Sequence, residues 1–377
     1  MFGGKMTPKE RLERAWNFQE ADRVPIEMNI SAEAAKDPRS ARVQKLMAKY
    51  IDRFYGWSPN WGWFGMPSTS ETKEIENRPG EYKRIQHIIH TPVGDFDAIH
   101  WYPVSTTDYA WEKHYISSPD DLRRLKDAPY YPLSVDVSSY QAQIEKVGER
   151  GLVVVNVPNP FGVLARSAKR EDFFSWLILE RTLMHDVFSV LFDHLVKKLE
   201  YLLPLLKARY FFSSGQELAL PPWMSPATFE EYVGTYDAKI YGLIRKYGGK
   251  TRIHCHGNAM EYLEQFVEIG IDGIEPCEPP PQGNVILQEA KKRVGDRMLL
   301  CGNIPSQNFR FMHPDETEEL VKQAIRDAAP GGGFILRTTG GSAGTWMVPG
   351  LDLDLQLVHC ERLIEAGIKY GHYPISL

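Results

Sequence analysis

Cysteine is scarce. Four residues in 377 cannot staple a chain of this length, so its stability has to come from a large hydrophobic core. Long apolar runs are missing as well: no stretch reaches the ~18 residues of a membrane-spanning helix, and residues 1–23 hold no apolar segment of the kind a secretion signal needs. Nor is there an excess of basic charge, since 44 Lys+Arg face 49 Asp+Glu for a net charge of -5, unlike the basic stripe that nucleic acid demands. The expectation is a cytoplasmic protein with neither a nucleic-acid nor a membrane partner. Neither a Gly-rich dinucleotide motif nor a GxxxxGK(S/T) loop follows any apolar run, which removes the strongest support for the common nucleotide-binding sheets. No repeat of fixed period and no low-complexity tract occurs.

What is present is alternation. Thr7 with Glu10 forms a capping-box pattern, Pro8 suits a first helical position, and Leu12, Ala15, Trp16 and Gln19 follow at helical spacing, so the chain opens on a helix. Residues 23–29 read as a short buried strand. Residues 50–131 are irregular and aromatic, with Trp57, Trp61, Trp63, Phe64, Trp101, Tyr102, Tyr109 and Trp111, and 81–90 with 93–101 read as a hairpin around Thr91-Pro92. This stretch is expected to be an insertion covering a core rather than a linker. From residue 151 the pattern turns regular: GLVVVNVPNP (151–160), YFFSSGQELAL (210–220), TRIHCHGN (251–258), GIDGIEPCEPP (270–280), RMLLCGNI (297–304) and GGFILRTTGG (332–341) are apolar strands with helical patterns between them. Buried strands alternating with amphipathic helices mean a parallel sheet covered by helices. The prediction is an α/β fold, a (β/α)8 TIM barrel formed as one domain over 1–377, with 50–131 as the covering insertion.

In such a barrel chemistry sits at the strands' C-terminal ends, and here those ends are polar: Asn156 and Asn159, Gln216 and Glu217, His254 and His256, Glu275 and Cys277, Cys301 and Asn303, Arg337 and Thr339. On a strand, i and i+2 share a face, so His254 and His256 point together, as do Glu275 and Cys277 on the next strand ~4.8 Å away. His254, His256 and Cys277, with Glu275 or water as fourth ligand, would suit zinc. Structural histidines or contacts to an organic ligand are the other reading of the same residues. Cys301 reads as packing. Arg337 leaves a buried strand as a charge, and either binds a substrate carboxylate or closes an internal ion pair. Glu217 and Glu275 are candidate acids or bases, Asn156 a candidate substrate contact, and Trp61 part of a candidate aromatic lid.

The opening MTPKERLERAWNFQEADRVPIE, Ser225-Pro-Ala-Thr-Phe229, IHCHGN, GIDGIEPCEPPPQGNV, LLCGNI and the ending GGGFILRTTGGSAG…YGHYP together resemble the uroporphyrinogen decarboxylase superfamily. The resemblance spans nearly the whole chain and is weakest over about 50–130. It implies a (β/α)8 barrel and one of two activities: decarboxylation of uroporphyrinogen, or methyl transfer by zinc enzymes that work with corrinoid proteins. The decarboxylase branch carries Arg-Gln-Ala-Gly-Arg-Tyr after its first strand, whereas Met28-Asn-Ile-Ser-Ala-Glu33 stands here. The methyltransferase branch has a His-x-Cys-Gly-Asn zinc motif, which IHCHGN resembles with His256 in the Cys position. That branch takes a further cysteine ligand from a turn near which this chain has Gly341, and Cys277 is the residue that could replace it. The zinc set implied is therefore His254, His256 and Cys277.

The resemblance thus implies a methyltransferase that moves a methyl group from a small methylated donor to the Co(I) of a corrinoid, with zinc activating the leaving group; the aromatic cover and the lack of coenzyme-M-type ligands make a methoxylated aromatic, in an O-demethylation, the preferred donor. No Asp-x-His-x-x-Gly corrinoid motif occurs, so the cobalamin is expected on a partner corrinoid protein. A homodimer is left open. The competing readings are a metal-free decarboxylase or lyase on a small aromatic or pyrrolic acid, held by Arg337 with His256 or Glu217 moving the proton, and a non-catalytic ligand-binding barrel.

Overall fold

The computed structural model describes residues 6–104, 109–340 and 352–377. Eight strands form one parallel sheet: β1 (Ile26–Glu27), β2 (Arg53–Trp57), β7 (Gly151–Asn156), β8 (Tyr210–Ser214), β9 (Lys250–His254), β10 (Gly273–Glu275), β11 (Leu299–Ile304) and β12 (Phe334–Thr338). Their order is β1-β12-β11-β10-β9-β8-β7-β2, which curls into the (β/α)8 barrel expected, with helices packed outside. The seam between β1 and β2 is closed by one residue. Asp52 donates its backbone N–H to the Ile26 carbonyl (2.8 Å) and accepts the Ile26 N–H on its carboxylate (2.9 Å). That carboxylate is fully buried and holds Arg11 at 2.5 Å and Arg23 at 2.9 Å.

Alternation along each strand sorts the side chains into two cores. Ile26, Val153, Val155, Phe211, Ile253, Ile274, Leu300 and Leu336 face outward into the layer shared with the helices. Leu152, Val154, Tyr210, Leu299, Cys301 and Ile335 face inward, where Leu12, Ala15 and Trp16 join them. The helix that brings these three is Pro8–Trp16, with the predicted Thr7–Glu10 capping box and Pro at its start. It closes one end of the barrel, and the polar strand ends occupy the other.

Between β2 and β7 the chain makes a four-stranded antiparallel meander, β3 (Thr69–Arg78), β4 (Tyr82–Thr91), β5 (Gly94–Pro103) and β6 (Ala110–Lys113). β4 and β5 are the hairpin read from the sequence, paired from Thr91↔Gly94 outward. A bridge between Ile116 and Ala168 ties the end of this insertion to the helix after β7. Among the described residues no helix is long and apolar enough to cross a membrane.

Candidate functional site

The inward face of the strands changes from apolar to charged toward the C-terminal ends. Register sets Glu27 beside Arg337 on β1 and β12, and Glu275 beside His254 on β10 and β9. Arg252, two residues before His254, shares its inward face. Arg252 Nη1 lies 2.7 Å from Glu27 and 3.1 Å from Glu275, and Arg337 pairs with Glu275 and lies 3.6 Å from Glu27. Two carboxylates and two guanidinium groups form a charge-balanced quartet inside the barrel. Burial pushes Glu27 up, but Arg252 and Arg337 outweigh it and hold the carboxyl below its ordinary value.

Above the quartet stand the two histidines. His254 Nδ1 donates to Glu275 Oε1 (3.1 Å), since a carboxylate can only accept. His256 Nδ1 lies 2.9 Å from Glu278 Oε1, and the two rings meet edge to face with centroids 4.5 Å apart. Each imidazole is thereby oriented through Nδ1, which leaves Nε2 as the working atom. Burial, then His256 and Arg337, push His254 down to about 4, so it is neutral near pH 7. Glu278 also accepts the Gly257 N–H (2.9 Å) and Gln307 Nε2 (3.3 Å), and Thr339 donates to Gln307 Oε1 (2.9 Å). This chain of bonds joins the ends of β9 through β12. Burial raises Glu278, yet His256 and Gly257 bring its net value below the ordinary one.

The other predicted site residues divide. Glu217 lies in the turn after β8 and accepts Arg166 Nη2 (2.7 Å) and the Gly215 N–H (3.0 Å). Asn156 ends β7 facing inward beside Gly56, where any Cβ would come within 2.9 Å of its amide nitrogen. Trp61 donates its indole N–H to the Asn156 carbonyl (2.9 Å), but its ring lines a separate cavity against the helix Arg181–Leu206. Arg337 closes the internal ion pair, so it is not a free anchor for a substrate carboxylate.

Cys277 corrects the sequence reading. The i, i+2 argument needs a strand through residue 277, but β10 ends at Glu275 and Cys277 takes φ 53°, in the left-handed region. Its side chain turns outward, packing with Cys255 in the helix-side core and against Gly302, where a Cβ would stand 3.0 Å from that of Cys277. The thiol donates to the Ile274 carbonyl (3.7 Å), and burial pushes it up to about 12. Among the described residues no three His, Cys, Asp or Glu side chains converge to hold a metal ion. The set His254, His256 and Cys277 therefore does not fit zinc. Gly341 lies outside the described residues.

The residues that sequence reasoning missed are Glu27, Arg252 and Glu278. Arg252 was accessible to the logic applied to Arg337, a charge inside an apolar strand, and its spacing of two from His254 set it on the same face. Glu278 carried no periodic signal, because it follows the strand.

A family model described as uroporphyrinogen decarboxylase (URO-D) matches residues 106–346, well over half of the chain. The chain belongs to the URO-D family. Members of the URO-D superfamily are mostly enzymes, decarboxylases or methyltransferases. No curated protein is similar to the chain in sequence. Among solved structures, D-allulose 3-epimerase from Methylomonas sp. aligns with TM-score 0.37 and 10% identity, over 67% of this chain and 93% of that one. D-psicose 3-epimerase from Clostridium cellulolyticum H10 aligns at 0.33 and 10%, over 66% and 92%. The catalytic domain of a GH18 chitinase from the fern Peteris ryukyuensis aligns at 0.32 and 9%, over 61% and 79%.

Proposed function

We propose that this URO-D family barrel is a methyltransferase that passes a methyl group from a small methylated donor, preferably a methoxylated aromatic, to the cobalt of a separate corrinoid protein. The observation that carries the reading is the His254–His256 pair at the barrel's open end, each ring held through Nδ1 by its own buried carboxylate. The Co(I) corrinoid supplies the nucleophile. The methyl–oxygen bond breaks, the electron pair goes to the departing phenolate oxygen, and that oxygen takes up one proton. His256 on Glu278 is the group assigned to deliver it: a carboxylate on Nδ1 stabilises the protonated ring whose Nε2–H meets the leaving oxygen. His254, neutral on Glu275, turns Nε2 toward the bound donor and helps to orient it. No step is routed through zinc, because Cys277 does not join the imidazoles.

The decarboxylase alternative is less supported, since Arg337 is held by Glu275 and Glu217 by Arg166. The test is cobalt methylation, followed by absorbance, with a reduced corrinoid protein and a panel of methoxybenzoates. Losing the charged Glu278–His256 hydrogen bond in Glu278→Gln removes about 1.5–3 kcal/mol, so the rate should drop by about 10- to 150-fold with the fold intact. Absence of methylation with every donor, or an unchanged rate in Glu278→Gln, defeats the assignment.

A further inference from the structure

Away from the barrel interior, residues 61–65 lie against the long helix Arg181–Leu206 and line with it a partly open cavity of about 80 Å³. Its walls are apolar, from Trp61, Trp63, Phe64, Leu191 and Leu195, and its polar groups are Lys198 and His194. Lys198 is the anomaly. Only 3% of the residue is exposed, yet among the described residues no carboxylate comes within ion-pairing distance of it. Its ammonium group donates to the Tyr131 carbonyl (2.7 Å) and lies 5.7 Å from the centre of the Tyr130 ring. An ammonium group carries three donors, and a buried cation without a counter-charge is costly unless something supplies the anion. Glu200, two residues on, is exposed, and Asp193, five residues before, pairs instead with Lys239 at 4.0 Å. The lining is that of a small-ligand site, mostly apolar with one placed charge.

We propose that this cavity binds a short aliphatic monocarboxylate, straight or branched, whose carboxylate pairs with Lys198 while its hydrocarbon part lies among Trp61, Trp63 and Leu195. The proposal does not depend on methyl transfer, because the cavity and the His254–His256 pair share no lining residue. One bond connects them: Trp61 donates to the carbonyl of Asn156 at the barrel mouth. Occupancy of the cavity therefore bears on the position of the β7 end.

The experiment is a calorimetric and tryptophan-fluorescence titration of the full chain with propionate, isobutyrate and their uncharged amides. Each acid should bind at least about tenfold more tightly than its amide, and Lys198→Met should abolish that preference. A second variant, Val163→Phe, fills the cavity with the ammonium retained, and should weaken acid and amide alike by about tenfold or more. If Lys198→Met does not fold, Val163→Phe decides alone: retained acid affinity overturns the proposal. Equal binding of acid and amide by the wild type, no binding up to about 10 mM, or full acid affinity in folded Lys198→Met overturns it as well.

Discussion

Glu275→Gln tests whether the charges at the barrel mouth act as a balanced set. Glu27 and Glu275 contribute two negative charges, Arg252 and Arg337 two positive ones, and all four side chains are at most 16% exposed. Glutamine keeps the shape and still offers His254 Nδ1 an acceptor, so the perturbation is the charge itself. It leaves one buried guanidinium group uncompensated, which costs about 3–5 kcal/mol, a large share of the ~5–15 kcal/mol that holds a typical fold together. With an m-value of about 3 kcal/mol per M, the urea midpoint followed by tryptophan fluorescence should drop by about 1–1.7 M. Adding Arg337→Met restores neutrality. The double variant should therefore be no less stable than Glu275→Gln alone, with a coupling energy above about 1 kcal/mol. A single-variant cost below about 1 kcal/mol, or a double variant whose cost equals the sum of the two singles, would refute the reasoning.

Asp52→Ala removes the side-chain bond of the β1–β2 seam and the partner of buried Arg23, so it should cost about 3–5 kcal/mol in chemical denaturation; Asp22→Ala, at the more exposed end of Arg11, should cost less. Asp237 sits wholly buried among Asn159 and Gln216, and burial pushes it up to about 7 despite their hydrogen bonds. An unfolded aspartate titrates near ~3.9. The unfolded chain therefore sheds this proton first, and stability should fall by up to about 1.4 kcal/mol per pH unit between about pH 4 and 7, then level off. Asp237→Asn should flatten that part of the melting-temperature profile, and parallel profiles would count against the assignment. Cys277→Ser should leave zinc content, measured by elemental mass spectrometry, the same as wild type, whereas proportional loss of zinc would put the thiol back among the ligands.

How far the site was legible depends on the range of each interaction. The capping box at Thr7, the hairpin on β4 and β5, and the polar ends of the parallel strands were all readable, because cap chemistry and period-2 alternation are set by residues close together in the chain. His254 and His256 were located for the same reason. The extrapolation from Glu275 to Cys277 failed where the strand stopped, since alternation holds only while the backbone stays extended. Glu278 and the pairing of Arg337 were out of reach, because both rest on contacts between strands separated in sequence.

By itself, then, the sequence determined that apolar strands alternate with amphipathic helices, that helices cover a parallel sheet, and that imidazoles and carboxylates stand at the strand ends. Tertiary structure alone decided which carboxylate each imidazole holds, whether Arg337 is free or paired, that Cys277 turns to the outer core, and that Lys198 is buried beside a cavity without a counter-charge. The physical reason is that the first set follows from local backbone geometry and side-chain period. The second depends on register between strands, where a shift of one residue reverses every face, and on desolvation that exists only once the chain has closed around itself.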